Sequence, residues 1–349
     1  MRWKKTAVYI GLLFLCSACT MSLIPSVEAS SLSEPLVPPS RVEPASSDGV
    51  GVFDIEYYGD PLVPIEFSGY NPAGFLEYSE QDHFIHRQFL HGRPVTVAWE
   101  TGIESADAEL RSSISSIYFD AFSSWWDVFE GFPYESYTVV LKSDPDYQNE
   151  GEYGIGYEVA GSEIMDWYEM SKEGDLDYLK AKIGHEVFHA WNNSALSAAS
   201  NAEYWFREGA ANYYGHQFAG LEEYQAWMEA EFDFYTTVLL GSECDFSLSE
   251  VGELLEGGSA CPLMQTVYYK GALVSYMMDI RLNESGLTLD DLMRYLYVHF
   301  DYGREQISNA DIQFALGAIT ADDWGPFFDD YVYGTAAIVL DAPFVLTER

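Results

Sequence analysis

Five consecutive residues, His185-Glu186-Val187-Phe188-His189, have the types and the spacing to hold a metal ion and to move a proton beside it. On an α-helix, positions i and i+4 lie one turn apart on the same side, so both imidazoles can offer a nitrogen to one ion. Glu186, one position further round, can reach a water bound to that ion. A catalytic zinc with two histidine ligands usually takes a carboxylate as its third and keeps the fourth position for water. Eighteen residues separate His189 from a candidate for that carboxylate, Glu208, in Tyr204-Trp205-Phe206-Arg207-Glu208-Gly209-Ala210. The competing reading makes Glu208 a helix carboxylate paired with Arg207 or solvent, and the two histidines a solvated pair on an acidic helix. The complete set of two histidines, an adjacent glutamate and a third carboxylate favours a site for one catalytic Zn2+.

Such a set needs rigid helices to carry it. Leu176, Leu179, Ile183, Val187 and Ala190 recur at three- and four-residue steps and predict an amphipathic helix under the two histidines. Aromatics before Glu208, with Ala211, Tyr213 and Tyr214 after it, predict a second, buried helix facing the first. Asn212, one turn beyond Glu208, is a candidate to orient a ligand from behind. Upstream the pattern is strand-rich: Val52 to Tyr57 and Val95 to Trp99 alternate, and Tyr137 to Leu141 is a compact β-branched run. A helix between Ala106 and Phe129 interrupts these strands and ends near Gly131-Phe132-Pro133. His83, His86 and His91 fall in this region and read as surface or packed histidines rather than ligands. Helical periodicity then dominates from Leu176 to about Tyr333, with no internal repeat and no phosphate-cradling glycine loop. The expected divisions are a strand-rich region at 50–142, a zinc-binding catalytic region at 143–220 and a helical domain at 221–349.

The composition narrows the partners. The chain of 349 residues carries 17 Lys+Arg against 56 Asp+Glu, a net charge of −39. That excess argues against a nucleic-acid partner and against adhesion to anionic lipid headgroups. A hydrophobic fraction of 48% and an aromatic fraction of 16% supply a sizeable core. At the N-terminus, Arg2, Lys4 and Lys5 precede an apolar stretch from Ala7 to Leu15, and Ser17-Ala18 stand directly before Cys19. This is the layout of a signal peptide over 1–18. Its ending resembles a bacterial lipoprotein signal, with Cys19 as the lipidated first residue of the mature chain. Cys16 stands where such signals usually carry Leu, so ordinary signal cleavage nearby is the alternative. Residues 19–49, with Pro25, Pro35, Pro38, Pro39 and Pro44, read as a flexible tether. The expectation is export to the cell envelope, as an outer-membrane lipoprotein or a periplasmic or extracellular protein. In such an oxidising compartment Cys244 and Cys261 would pair, a cross-link worth about 3 kcal/mol in the chain-entropy model. A metal site from these two cysteines is the weaker reading.

Taken together, His185-Glu186-x-x-His189, eighteen residues and then Glu208-Gly209 resemble the gluzincin metallopeptidases. The longer string to Trp191-Asn192 is similar to the glycyl aminopeptidase family, whose members often carry a PDZ domain. Further likenesses lie in order along the chain: Phe132 to Thr138, Tyr268-Tyr269-Lys270-Gly271, Leu289 to Arg294, and Phe327 to Thr335. The resemblance implies an α+β architecture: a thermolysin-like zinc peptidase catalytic domain with a helical C-terminal domain. The chain departs from the family pattern in two expected respects, a strand-rich N-terminal part that is shortened and no PDZ domain after Thr335. It also implies a peptide or protein substrate and roles for particular residues. Glu186 would be general base and then general acid. Tyr268, with Tyr269 as the adjacent alternative, would donate to the oxyanion. Glu158, in Tyr153-Gly154-Ile155-Gly156-Tyr157-Glu158, would bind a substrate's amino terminus and make the enzyme an aminopeptidase. A zinc endopeptidase with an open cleft and a non-catalytic peptide-binding lipoprotein on the same fold are the alternatives. Nothing in the sequence specifies an oligomeric state.

Overall fold

The structure, a computed structural model, describes residues 82–101, 107–132, 136–143, 156–159, 162–167, 176–192, 198–255, 260–300, 306–340 and 344. The signal peptide, Cys19, the tether and the alternating run Val52 to Tyr57 lie outside the described residues.

The sheet begins as a hairpin. Strand β1 (His83–Leu90) turns through His91 and Gly92, both at positive φ (51° and 78°), into β2 (Arg93–Glu100). Two such residues in a row twist the turn in the sense the strands need. Helix α1 (Ala108–Phe129) follows, capped by Asp107, whose carboxylate accepts from the Leu110 N–H at 2.8 Å. It stops at Glu130, which adopts a left-handed conformation (φ 55°) before Gly131. The chain then enters β3 (Tyr137–Ser143), parallel to β2. Strands β4 (Gly156–Val159) and β5 (Ser162–Trp167) complete a mixed sheet of order β1-β2-β3-β5-β4, with β5 parallel to β3 and β4 antiparallel at the edge. The sheet therefore extends past position 142. Val97, Ala98 and Trp99 of β2 and Val139, Val140 and Leu141 of β3 are all fully buried, as parallel strands covered on both faces must be.

The rest is helical: α2 (Leu176–Asn192), α3 (Tyr204–Ala219), α4 (Leu221–Phe234), α5 (Leu248–Leu254), α6 (Leu263–Gln265), α7 (Gly271–Asn283), α8 (Leu289–His299), α9 (Asn309–Thr320) and α10 (Gly325–Tyr331). Single π-helical turns, Tyr235–Leu239 and Thr266–Lys270, continue α4 and join α6 to α7. One contiguous core runs from Val95 on the sheet to Phe344. Aromatic side chains with polar edges lock α1 to α2. Trp125 donates to the Gly184 carbonyl at 3.0 Å, Trp191 donates to the Gly131 carbonyl at 2.7 Å, and Phe129 stacks on Trp191 with centroids 5.6 Å apart. Burying each such ring contributes roughly 1.5–3 kcal/mol, which is how α2 acquires a fixed seat. Helix α3 lies against the other side of α2, close enough that a Cβ on Gly215 would sit 3.0 Å from the His185 backbone nitrogen. Among the described residues no helix is long and apolar enough to cross a membrane.

Candidate metal centre

The last two turns of α2 carry His185, Glu186 and His189, and α3 brings Glu208 to them. The Nε2 atoms of His185 and His189 are 3.0 Å apart, and Glu208 Oε2 lies 3.4 Å from the first and 3.2 Å from the second. Three ligands about 2.05 Å from a tetrahedral ion would stand about 3.3 Å from one another, so this triangle fits a zinc-sized ion. All three residues are buried, and among the described residues no other group of three His, Cys, Asp or Glu converges in this way.

A ring of hydrogen bonds sets the ligands. His189 Nδ1 lies 2.9 Å from Asn192 Oδ1, which leaves Nε2 aimed at the other ligands. Asn192 Nδ2 donates to the Arg207 carbonyl at 2.6 Å, and Arg207 Nε donates to Glu208 Oε1 at 2.9 Å. One carboxylate oxygen is thereby held from outside while Oε2 faces the histidines, closing a cycle across α2 and α3. The Arg207 guanidinium lies 4.4 Å over the Tyr204 ring, which fixes its plane. His185 Nδ1 is buried with no hydrogen-bond partner among the described residues.

The charges follow this packing. Burial lowers the His185 pKa. Burial acts on His189 in the same direction, but the Glu208 carboxylate more than offsets it and raises that pKa. Burial would raise the Glu208 pKa, yet His189 and Arg207 hold it well below the ordinary carboxylate range. Glu208 is therefore an anion, as a ligand must be. Glu186 is buried beside the ligands, with the Lys182 ammonium 3.4 Å away, one turn earlier on α2.

Tyr268 stands on the π-turn Thr266–Lys270 with its ring stacked on His185, centroids 5.6 Å apart at 14°. Burial, then the charge of Glu208 and a hydrogen bond to it, push its hydroxyl pKa well up, so it remains a proton donor. Tyr269 turns away and packs edge-on against Phe234 at 5.3 Å. Of the two tyrosines left open by sequence, only Tyr268 lies at the ligand cluster. The turn is seated by a backbone contact between α3 and α7. A Cβ on Gly209 would lie 2.5 Å from the Gly271 Cα, so neither Glu208-Gly209 nor Lys270-Gly271 has room for a side chain at its glycine.

Asn212 corrects the sequence reading. Its amide nitrogen donates to Glu231 Oε1 on α4 at 3.2 Å, where His216 Nε2 also approaches to 2.8 Å. Asn212 lies on the side of α3 that meets α4, while another side of the same helix packs on α2, and the orienting amide is Asn192. That residue was within reach of sequence reasoning, since it lies one turn after His189 on the same helix. Glu158 falls on edge strand β4, opposite Glu163 in the backbone register, and its side chain lies outside the described residues. Cys244 and Cys261 form a disulfide.

No family model matches the chain, and no curated protein matches it. Solved structures do. An aminopeptidase N family protein from Idiomarina loihiensis superposes with a TM-score of 0.59 at 19% identity, over 74% of this chain and 48% of its own. An M1 zinc metallopeptidase from Deinococcus radiodurans does so with a TM-score of 0.51 at 18% identity, over 74% and 54%. A point mutant of an M1 zinc metallopeptidase from the same organism, bound to a Tyr-Ser-Ala substrate, gives 0.53 at 13% identity, over 81% and 62%. This chain thus spans 48–62% of the lengths of these structures. At such identities the likeness is one of fold. The sheet and helices described above share, over those spans, the fold of these M1 zinc metallopeptidases and of the aminopeptidase N family protein.

Proposed function

We propose that the protein is a zinc-dependent metallopeptidase of gluzincin type, acting as an aminopeptidase, exported and held in the cell envelope by a lipid on Cys19. The observation that carries this reading is the buried convergence of His185, His189 and Glu208 with Glu186 and Tyr268 at their side. The fold shared with M1 zinc metallopeptidases and an aminopeptidase N family protein supports it, as does the resemblance of the motifs to the glycyl aminopeptidase family. The disulfide suits an oxidising compartment, and the basic and apolar N-terminus suits export.

One Zn2+ held by His185, His189 and Glu208 would polarise the scissile carbonyl and bring the pKa of the attacking water down towards ~7. Glu186 takes a proton from that water and later delivers it to the departing amine. The Tyr268 hydroxyl donates to the oxygen of the former carbonyl as it gains charge, a contact worth about 3–4 kcal/mol when placed in advance. Asn192 and Arg207 keep His189 and Glu208 from turning away. Glu158 is assigned to the substrate's ammonium group, through a charge-assisted pair.

The test is hydrolysis of short peptides, with free and with acetylated amino termini, by the zinc-loaded protein and by Glu186→Gln. Cleavage of the free peptides alone, absent in the variant, is the expected result. Equal cleavage of acetylated peptides would make the enzyme an endopeptidase and remove the role given to Glu158. No cleavage from folded, zinc-loaded protein would leave a peptide-binding protein on a peptidase fold.

A further inference from the structure

Lys270 is fully buried, an uncommon state for an ammonium group. Its Nζ lies 3.1 Å from Asp245 Oδ1, donates to the Phe246 carbonyl at 2.9 Å and stands 5.8 Å from the centre of the Tyr235 ring. The other oxygen of Asp245 accepts from the Gly241 N–H at 3.0 Å, so the carboxylate is engaged on both sides. Burial lowers the Lys270 pKa, opposed by Asp245. A buried ion pair of this kind is a poor means of gaining stability, since apolar residues of similar volume often serve as well. Its position suggests another use. Lys270 ends the π-turn Thr266–Lys270, two residues after Tyr268 and directly before Gly271, which is jammed against Gly209 of α3. Asp245 follows Cys244, whose disulfide partner Cys261 leads through Pro262 into the same turn. The turn is therefore tied to one loop at both ends, covalently before it begins and ionically where it ends. π-Helical turns are rare, and they frequently mark functional sites.

We propose that Lys270 is a positioning residue: clamped by Asp245, it fixes the π-turn and so holds the Tyr268 hydroxyl in register with the metal centre. The inference rests on the role proposed above for Tyr268. It separates Lys270 from the ligands, because His185, His189 and Glu208 are seated by α2, α3, Asn192 and Arg207 without it.

The experiment is a double-mutant cycle in the zinc-loaded full chain. Lys270→Met should lower kcat by about 10- to 100-fold, as misplacing a donor by a fraction of an ångström does. KM and zinc affinity should stay within about twofold. In a Tyr268→Phe background the same substitution should cost less than about twofold, because the donor it positions is already gone. An equal loss in both backgrounds would make Lys270 a general support of the fold and overturn the inference. Should Lys270→Met fail to fold, Asp245→Asn removes the charge at nearly constant shape and is read through the same cycle. A second reading needs no turnover. 3-Fluorotyrosine placed at position 268 alone should give one sharp 19F resonance that Lys270→Met or Asp245→Asn splits or shifts. An unchanged resonance overturns the clamp even where activity falls. Undiminished kcat in Tyr268→Phe would instead overturn the catalytic role of Tyr268 and leave the fluorine reading to decide the clamp.

Discussion

Replacing Gly209 by alanine should damage both the fold and the site, by an amount the helix crossing allows one to work out. The new Cβ would stand 2.5 Å from the Gly271 Cα, and the Cβ position on Gly271 is itself only 3.0 Å from the Gly209 Cα. Carbon atoms rest about 3.5–4.0 Å apart, so α3 and α7 must part by about 1 Å. The atoms met are Gly271 backbone and the new Cβ is fixed directly to the Gly209 backbone, so no rotamer relieves the conflict. Overpacking of this kind costs about 3 kcal/mol, at the upper end of its usual range. The better helix propensity of alanine returns about 1 kcal/mol, leaving a net loss of about 2 kcal/mol. For a chain of 349 residues, unfolding with about 2.1 cal/mol/K of entropy per residue, that is a fall in Tm of about 3 °C. Gly209 follows Glu208, and Gly271 lies three residues after Tyr268, so the same displacement separates ligand and donor; a shift of about 1 Å can lower kcat on the order of 100-fold. The control is Gly317→Ala on α9, whose Cβ would meet nothing nearer than 3.4 Å. Thermal unfolding and kcat should be measured on both. If Gly209→Ala melts with Gly317→Ala and keeps kcat within about twofold, close packing of these helices does not set the site, and the reasoning fails.

Three further outcomes follow from the site. Asn192→Ala removes the acceptor on His189 Nδ1 and the donor to the Arg207 carbonyl, so zinc affinity, measured by chelator competition, should fall about 10- to 100-fold; an unchanged affinity would show that neither contact orients the ligand. Zinc requires His189 neutral, and its pKa is raised, so apparent affinity should climb with pH and level off only above that raised value, with proton release visible by calorimetry in buffers of different ionisation heat. In the metal-free chain the sign is opposite: the raised pKa stabilises the fold below the unfolded value of ~6.5, and that contribution is lost as pH rises through the folded one. An affinity flat across this range would contradict the assignment of His189. Converting Cys244 and Cys261 together to serine should cost about 3 kcal/mol, read as a lower Tm that reductant reproduces in the native chain; a native Tm indifferent to reductant would refute it.

What could be read from the sequence was whatever one helix or one strand encodes by its own period. His185 and His189 share a face because their spacing is helical; β2 is marked by alternation, β3 by a compact β-branched run and the end of α1 by Gly131-Phe132-Pro133. What could not be read depends on which neighbour a face meets. Asn212 and Asn192 each lie one turn from a candidate ligand, Glu208 and His189, and nothing in either stretch says that one looks at α4 and the other at the ligand itself. Strands β4 and β5 are short and carry Glu158, Glu163 and Asp166, so no apolar run announces them, although β5 pairs with buried β3 along its length. Lys270 enters the sequence reading only within Tyr268-Tyr269-Lys270-Gly271, and only the fold brings Asp245 to it from 25 residues away. The two glycines show how the levels join. Gly209 and Gly271 sit in unrelated stretches, each beside a residue of the site, and each would pass as a weak helix position. Their meaning is a single contact: backbone against backbone, it lets α3 present Glu208 and the π-turn present Tyr268 to the same small volume. A side chain at either glycine would leave the ligand triangle on α2 and α3 almost complete while taking away the donor that faces it.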